Sequence, residues 1–99
     1  MNEQEIVRKL NSIGKAFFVN NFSTLKQYSR GSLSKEKCID SFVLTGACNA
    51  AGGAIRCGNA KALFLAKKER DALMCISNSM RLASDLRIEA ARLIADECN

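Results

Sequence analysis

The segment Thr45–Ala66, TGACNAAGGAIRCGNAKALFLA, decides how the rest of the chain can fold. Half of its residues are glycine or alanine, and few of the others are bulky before Leu63. The distance between two packed helices depends on the size of the side chains at their contact. A helix in this segment is therefore predicted to lie unusually close to its neighbours, at the centre of the fold.

Two adjacent ridges of small and apolar residues run along this segment when it is drawn as a helix, at about 100° per residue. The first ridge consists of Gly46, Ala50, Gly53, Cys57, Ala60 and Phe64. The second ridge consists of Ala47, Ala51, Ala54, Gly58 and Leu65. The opposite, polar side carries Asn49, Gly52, Arg56 and Asn59. The two ridges predict that two neighbouring helices pack tightly against the segment.

The paired Gly52 and Gly53 allow two interpretations. Either they form a turn that ends one helix, or they are close-packing positions inside a helix that continues. Two glycines in a helix interior cost about 2 kcal/mol relative to alanine. We therefore favour a turn at this point.

Helix is the predicted secondary structure along the whole chain, because no proline occurs in it. Asn2 and Glu5 have the spacing of a helix-capping pair, and Gly31 followed by Ser34 is typical of one helix ending and the next beginning. The predicted helices span about residues 3–28, 34–51, 54–81 and 84–97. We expect an all-α fold, a compact antiparallel bundle of about four helices with the Gly/Ala-rich segment at its centre, and a single domain over residues 1–99.

An apolar stripe in the first of these helices, formed by Phe18, Phe22 and Leu25, is rotated by about 120° from the apolar residues before it. Either the helix breaks near Val19, or one helix continues through Tyr28 and buries different faces at its two ends. We favour the continuous helix. The stripe is then the candidate partner-binding surface, with the alternative that it belongs to the core, since a helix packed between two others needs two apolar faces.

Length and composition predict a soluble protein. The chain has 99 residues, of which 47% are hydrophobic, which is enough for one domain with a hydrophobic core. Its first residues, MNEQEIVRKL, are polar and acidic, unlike a secretory signal, and no run of about eighteen apolar residues occurs. We expect a cytoplasmic protein that does not associate with membranes.

The five cysteines are predicted to be ordinary thiols. The chain has no histidine and no C-x-x-C pair, whereas structural zinc sites need closely spaced ligand pairs. A reactive cysteine needs a neighbouring base or cation, and Arg56 and Lys61 near Cys57 are a common surface pattern. We expect reduced core or boundary thiols, no metal site and no cofactor. The cysteines are Cys38, Cys48, Cys57, Cys75 and Cys98.

The net charge of +5 favours an anionic partner. Basic residues that align on the predicted helices or cluster beside them are the candidate anion-binding residues, namely Arg8, Lys15, Lys26, Lys61 and Lys68. Phosphate binding needs several basic residues on one surface with few acids between them, whereas Glu69 and Asp71 interrupt the cluster that follows Lys61. Nucleic-acid binding is therefore the alternative function.

The favoured function is protein binding, by elimination. The sequence contains no phosphate-binding glycine loop and no carboxylate pair suited to acid–base catalysis, so no catalytic residue is predicted. Bundles of short helices with small-residue seams often self-associate or hold a partner helix in a groove. We expect a non-enzymatic protein–protein interaction module whose partner is a second copy of the chain, or another protein for which it acts as an adaptor or inhibitor.

Overall fold

The computed structural model describes residues 1–97, which form seven α-helices and no β-strand. In chain order these are α1 (Glu3–Ile13), α2 (Lys15–Asn20), α3 (Phe22–Ser29), α4 (Lys35–Leu44), α5 (Ala50–Leu65), α6 (Glu69–Ser77) and α7 (Ser84–Glu97). The all-α prediction is confirmed, whereas the predicted number of four helices is wrong. The Cα radius of gyration of 12.6 Å is close to the value of about 13 Å expected for a compact domain of this length.

The helix predicted over residues 3–28 is divided twice, at Gly14 and at Asn21. Gly14 has a φ of +93°, which residues with a side chain rarely adopt, and its N–H donates to the Leu10 carbonyl oxygen at 2.8 Å. Asn21 ends α2, and its side-chain amide donates to the Phe17 carbonyl oxygen at 3.1 Å. The two breaks let α1, α2 and α3 turn their apolar residues toward one core, which a straight helix does not allow.

Both predicted capping residues at helix starts are confirmed. The side-chain oxygen of Asn2 accepts the N–H of Glu5 at 2.9 Å, and the hydroxyl of Ser34 accepts the N–H of Lys37 at 3.2 Å. Each bond satisfies one of the N–H groups that the first turn of a helix leaves unpaired. Gly31 lies between α3 and α4 with a φ of +83°, as expected of a glycine beyond a helix end.

The turn predicted at Gly52 and Gly53 is wrong, because α5 runs through both glycines. The turn lies earlier, around Gly46, which has a φ of +74°. Asn49 then caps α5 by accepting the N–H of Gly52 at 2.7 Å. A Cβ atom on Gly53 would lie 3.3 Å from Cγ2 of Ile39, a tight contact between α4 and α5 that Ile39 would have to relieve by a small shift. This contact explains why glycine occupies the helix interior.

The helix predicted over residues 54–81 is also interrupted, after Leu65. Lys67 adopts a left-handed conformation with a φ of +59°, and the N–H of Lys68 donates to the Leu63 carbonyl oxygen at 2.8 Å. This geometry is a Schellman motif, which closes the end of a helix. The chain then turns into α6, which packs against α7 as the second part of the fold.

The core is built around α5, which packs against α1, α3 and α4. Its buried residues are Gly53, Cys57, Ala60 and Leu63. The first ridge therefore faces the core as predicted, except that Gly46 and Ala50 are exposed at or before the start of the helix. Because these side chains are small, larger residues of the surrounding helices fill the space beside them.

Aromatic rings provide most of that larger volume. The rings of Phe18, Phe22 and Phe64 contact one another, with centroid separations of 5.3 to 6.0 Å. The rings of Phe17 and Phe42 meet edge to face at 4.8 Å. Such pairs stabilise a core by about 0.5–1.5 kcal/mol beyond the burial of their area. These contacts join α2 and α3 to α5, and α2 to α4.

Arg56 joins α5 to the end of α1. Its Nε atom donates to the carbonyl oxygen of Ile13 at 3.0 Å, and its guanidinium lies over the ring of Phe17 at 5.0 Å. The last carbonyls of a helix have no partner within that helix, and a cation at this end is favourable. The residue that the sequence places on a polar side of α5 is therefore half-buried and holds two helices together.

Substituting leucine at two glycines of α5 tests the close packing. Gly53→Leu is expected to lower the free energy of unfolding by about 1–3 kcal/mol or more, because its side chain must displace Ile39. Gly58→Leu serves as the matched control, since a Cβ there meets nothing within 4 Å and leucine is the better helix former. Urea denaturation at low protein concentration measures both, and equal stabilities of the two variants would contradict the close packing.

Gly46→Leu is expected to be destabilising for a different reason than overpacking. The sequence predicts that Gly46 lies in the packed seam, whereas a Cβ there meets nothing within 4 Å. Its φ of +74° is strained for leucine, at a cost of about 1–2 kcal/mol. In the same denaturation experiment Gly46→Asn should therefore recover part of the stability, because asparagine tolerates this conformation.

Candidate functional site

The apolar stripe Phe18, Phe22 and Leu25 lies in the core, with exposed fractions of 0%, 2% and 0%. The break at Asn21 changes the direction of the chain between Phe18 and Phe22, so that the stripe packs against Phe64 of α5. A partner cannot contact these side chains in this fold. Of the two interpretations of the stripe, the structure matches the core.

The candidate anion-binding residues are spread over five parts of the fold, and three of them have partners. Lys26 pairs with Glu97 at 2.8 Å, and Lys68 lies 3.7 Å from Asp71. Lys61 lies over the ring of Tyr28 at 5.3 Å, and the other two candidates are Lys15, half-buried on α2, and Arg8, exposed on α1. Lys26 belongs to α3, and Lys61 packs against Tyr28 of that helix. Lys68 lies elsewhere, beside Glu3 and Asp71 in a groove between α1 and α6.

The pair between Lys26 and Glu97 shows how acids balance this basic surface. The hydrogen bond and charge of Lys26 lower the pKa of the Glu97 carboxyl, with a further contribution from the charge of Arg30. The Glu97 side chain is 41% exposed, so solvent screens part of this attraction, whereas Lys26 is only 15% exposed. The basic residues near α3 therefore carry a neutralising acid, which weakens the case for a phosphate-binding surface.

An apolar stripe lies along the side of α5 that faces solvent. We name it the outer face of α5, and its residues are Ala51, Ile55, Gly58, Ala62 and Leu65. At about 100° per residue they lie within a sector about 80° wide. Ile55 and Leu65 expose 59% and 66% of their surface. One side of α5 thus presents apolar residues to water.

The outer face of α5 includes much of the second ridge. The sequence predicts a helix against that ridge, but no helix among residues 1–97 covers it. Three helices pack against α5, so the prediction that at least two neighbours pack on this segment is confirmed, but they leave most of the second ridge exposed. Ile55 and Ala62 also belong to this face, and their helical spacing from Gly58 and Leu65 could have predicted it.

Gly58 lies at the middle of the outer face, in a regular helical turn. Its φ is not positive and no atom lies within 4 Å of a Cβ built on it, so neither the turn geometry nor close packing within the chain requires a glycine. Glycine in a helix interior costs about 1 kcal/mol relative to alanine. Contacts among the described residues do not explain this glycine, whereas the close approach of another molecule would.

The outer face carries no charge. Arg56 and Lys61 are the two charged residues of α5, and neither lies within the face. Arg56 points toward α1, where it contacts Ile13 and Phe17, and Lys61 lies over the ring of Tyr28 on α3. A quarter of the whole chain is charged, so an uncharged and exposed helical face is unusual for this protein.

A groove between α1 and α6 contains several titratable residues. Glu3, Lys68 and Asp71 lie at this groove, together with the half-buried thiol of Cys75. Burial raises the pKa of the Cys75 thiol, and the charge of Glu3 raises it further. The thiol is therefore protonated at neutral pH, which makes it a poor nucleophile.

The remaining cysteines agree with the expectation of core and boundary positions. Cys38 and Cys57 are buried and Cys48 is half-buried, and all three are free thiols. Cys98 lies outside the described residues. Within residues 1–97 no group of three or more histidine, cysteine, aspartate or glutamate side chains is arranged to hold a metal ion.

Comparisons of the chain with protein-family models, with curated proteins and with solved structures found no match. Across residues 1–97, none of the helices combines the length and the apolar character needed to cross a membrane. The functional interpretation therefore depends on the geometry of the described residues.

Alanine substitutions distinguish the buried stripe from the outer face. Phe22→Ala is expected to lower the free energy of unfolding by about 3–5 kcal/mol, because it leaves a cavity among the rings of Phe18 and Phe64. Leu65→Ala removes an exposed side chain of similar hydrophobicity and is expected to change it by about 0.5 kcal/mol or less. Thermal and urea unfolding measure both, and a stable Phe22→Ala variant would show that the stripe is not core.

Proposed function

We propose that the protein is a non-enzymatic protein–protein interaction module that forms a homodimer through the outer face of α5. The observation that supports this proposal is an exposed, uncharged helical face with an otherwise unexplained glycine, Gly58, at its middle. Small residues at a helix surface permit the closest approach of another helix. The face is apolar and uncharged, and its small residues allow another helix to approach closely. A helix–helix interface needs all three properties.

The order of large and small residues on this face suits a second copy. Ile55 and Leu65 lie five residues on either side of Ala60, and Gly58 and Ala62 lie two residues on either side. Suppose that two copies of α5 cross antiparallel, with a two-fold axis that passes through the outer face at the level of Ala60 along the helix. Gly58 of one copy then opposes Ala62 of the other, and Ile55 opposes Leu65. Crossing helices diverge from their closest point, so small residues at the centre and larger ones at the ends fill the gap evenly. A two-fold interface requires such self-complementarity.

The absence of charged residues within the outer face suits an apolar partner surface better than an anionic one. Two molecules that each carry a net charge of +5 repel each other at most orientations. The uncharged outer face lets them meet with little direct repulsion. An acidic protein or a nucleic acid, in contrast, would find no cation within this face to pair with. Charge complementarity therefore directs anionic partners elsewhere and leaves this face to another apolar surface.

The expected dimer is reversible. α5 has 16 residues, which corresponds to a length of about 24 Å. A single helix pair of this length buries less than the area of about 1,200 Å² at which standard stable interfaces begin. We therefore expect a dissociation constant of about 10–100 µM rather than a permanent dimer. Proteins of this interaction class use such weak contacts when assembly depends on local concentration.

Charge substitutions on the outer face test the proposal. Ile55→Glu is expected to raise the dissociation constant of the dimer at least about tenfold, because it places a carboxylate in the contact. Ile88→Glu is the matched control, since Ile88 is 68% exposed on α7 and lies outside the face. Sedimentation velocity from about 1 µM to about 1 mM measures the dissociation constants. An apolar contact also predicts little change between about 50 and 200 mM salt.

A monomer at every concentration, or equal effects of Ile55→Glu and Ile88→Glu, would overturn the proposal. Titration of a fluorescent DNA duplex at the same two salt concentrations tests the alternative function. Binding that weakens steeply with salt and on Arg8→Glu would favour a nucleic-acid partner. Unfolding curves of each variant at low concentration show whether it retains the fold.

A further inference from the structure

A pair of buried thiols joins α4 to α5. The Sγ atoms of Cys38 and Cys57 lie 3.4 Å apart, and both side chains have no exposed surface. We propose that Cys38 and Cys57 are a redox modification site, at which hydrogen peroxide converts the two thiols to a disulfide that links α4 to α5 and that thiol reductants reverse. This site is independent of the proposed dimer, because neither thiol lies on the outer face of α5.

The hairpin of α4 and α5 brings the two thiols together. Cys38 and Cys57 lie at nearly equal distances along the chain from Ala47, the middle of the turn between these helices. In a helical hairpin, residues placed symmetrically about the turn face each other. The contact between Ile39 and Gly53 holds the two helices at their closest approach one turn away. The thiol pair is therefore fixed by the topology and does not depend on one rotamer alone.

Closing the pair needs a small movement. A disulfide has an S–S distance of about 2.05 Å, so the two Sγ atoms must approach by about 1.4 Å. α4 packs mainly against α5 and is bordered by connecting segments at both ends. Because the contact of Ile39 with Gly53 already holds the two helices together, the approach of the sulfurs comes mainly from rotation of the two cysteine side chains. The bond would close a loop of about 20 residues, which restricts the unfolded chain.

Cys57 is the thiol that ionises more readily. Burial raises the pKa of both thiols, and it raises that of Cys38 to about 12. The hydrogen bond from Cys38 and the charge of Lys35 offset only part of this effect on Cys57, whose pKa stays above its usual value. Both thiols are therefore protonated at neutral pH, and either sulfur can donate in their contact. When Cys57 ionises, the Cys38 thiol can donate to its thiolate, so Cys57 acts as the first nucleophile through a small ionised fraction.

The reaction has two balanced steps. The Cys57 thiolate attacks one oxygen of hydrogen peroxide, the O–O bond breaks, and hydroxide leaves and takes up a proton to become water. The product is a sulfenic acid on Cys57. The Cys38 sulfur then attacks the sulfur of that sulfenic acid, the S–O bond breaks, a second water leaves with the Cys38 proton, and the disulfide forms. In total two thiols are oxidised and one peroxide is reduced.

The burial of the pair selects a small oxidant. Hydrogen peroxide has two heavy atoms and can follow local openings of the α4–α5 turn, whereas a tripeptide disulfide requires an exposed sulfur. The half-buried Cys48 lies in this turn, and its Sγ would be 3.5 Å from a Cβ on Gly53. Cys48 is thus the competing thiol nearest to the pair, and Cys75 on α6 is a distant thiol of similar burial.

Peptide mapping tests the site on the full-length wild-type protein. The protein is treated with hydrogen peroxide, quenched in acid, unfolded in the presence of an alkylating reagent, digested and analysed by mass spectrometry. The expected product is an intramolecular cross-link between the peptides of Cys38 and Cys57, with a mass loss of two hydrogen atoms. Dithiothreitol should reverse it. The oxidised protein should melt about 10 °C higher, because the closed loop destabilises the unfolded state.

Three variants sharpen the result. Cys75→Ala and Cys48→Ala are expected to keep the cross-link, whereas Cys38→Ala should abolish it and leave a sulfenic acid on Cys57 that dimedone traps. A circular dichroism spectrum like that of the wild type shows that a variant is folded. The proposal is overturned if Cys38 and Cys57 are both alkylated after peroxide treatment, or if the cross-link contains Cys48, Cys75 or Cys98 instead. Because the wild-type map needs no substitution, a variant that fails to fold does not obscure the outcome.

Discussion

The close approach of α4 to α5 at Gly53 is the contact on which the arrangement of the other helices depends. Ile39 occupies the space that a side chain on Gly53 would need, so α4 lies directly against the backbone of α5. This proximity leaves room on the other side of α5 for the rings around Phe64, and it aligns Cys38 with Cys57. A larger residue at Gly53 would move α4, and with it both of these features.

The small residues of α5 serve two purposes on two faces. On the buried face they allow three helices to surround one helix, as the burial of Gly53, Cys57 and Ala60 illustrates. On the outer face the same residue types remain exposed, although nothing within the described chain requires them there. In the proposed dimer the small residues of the outer face allow close helix packing, as those of the buried face do. The neighbouring helix is then α5 of the second copy and not a helix of the same chain.

Local signals were predictable from the sequence, whereas tertiary ones were not. The caps at Asn2 and Ser34 and the bounds of the last helix follow from side chains that interact within one turn. The sequence allows residues 67–70 to be either a solvated turn of one long helix or a short connection, and we favour the long helix because lysine in a left-handed conformation carries no sequence signature. The structure has the connection. The turn at Gly52 and Gly53 was mispredicted because helix propensity alone omits the contact with Ile39.

For the candidate functional residues too, local features were predictable from the sequence and contacts between distant residues were not. The sequence shows that the stripe of Phe18, Phe22 and Leu25 is apolar. That it faces the core depends on the break at Asn21, within the stripe, which the sequence did not predict with certainty. Likewise, aligned lysines on separate helices did not reveal that Glu97 would pair with Lys26 across 71 positions of the chain. Proximity between distant residues follows from the fold, which periodicity within one helix does not contain.

The three glycines of α5 also have a consequence for the order in which the chain folds. A 16-residue helix with this composition is unstable in isolation, so α5 forms only while it docks onto its neighbours. During synthesis α1 to α4 leave the ribosome first, with the rings of Phe18 and Phe22 still lacking Phe64. The aromatic cluster of the first half therefore stays incomplete until residues 50–65 have emerged, and the contacts of α6 and α7 with α1 and α2 can form only after that.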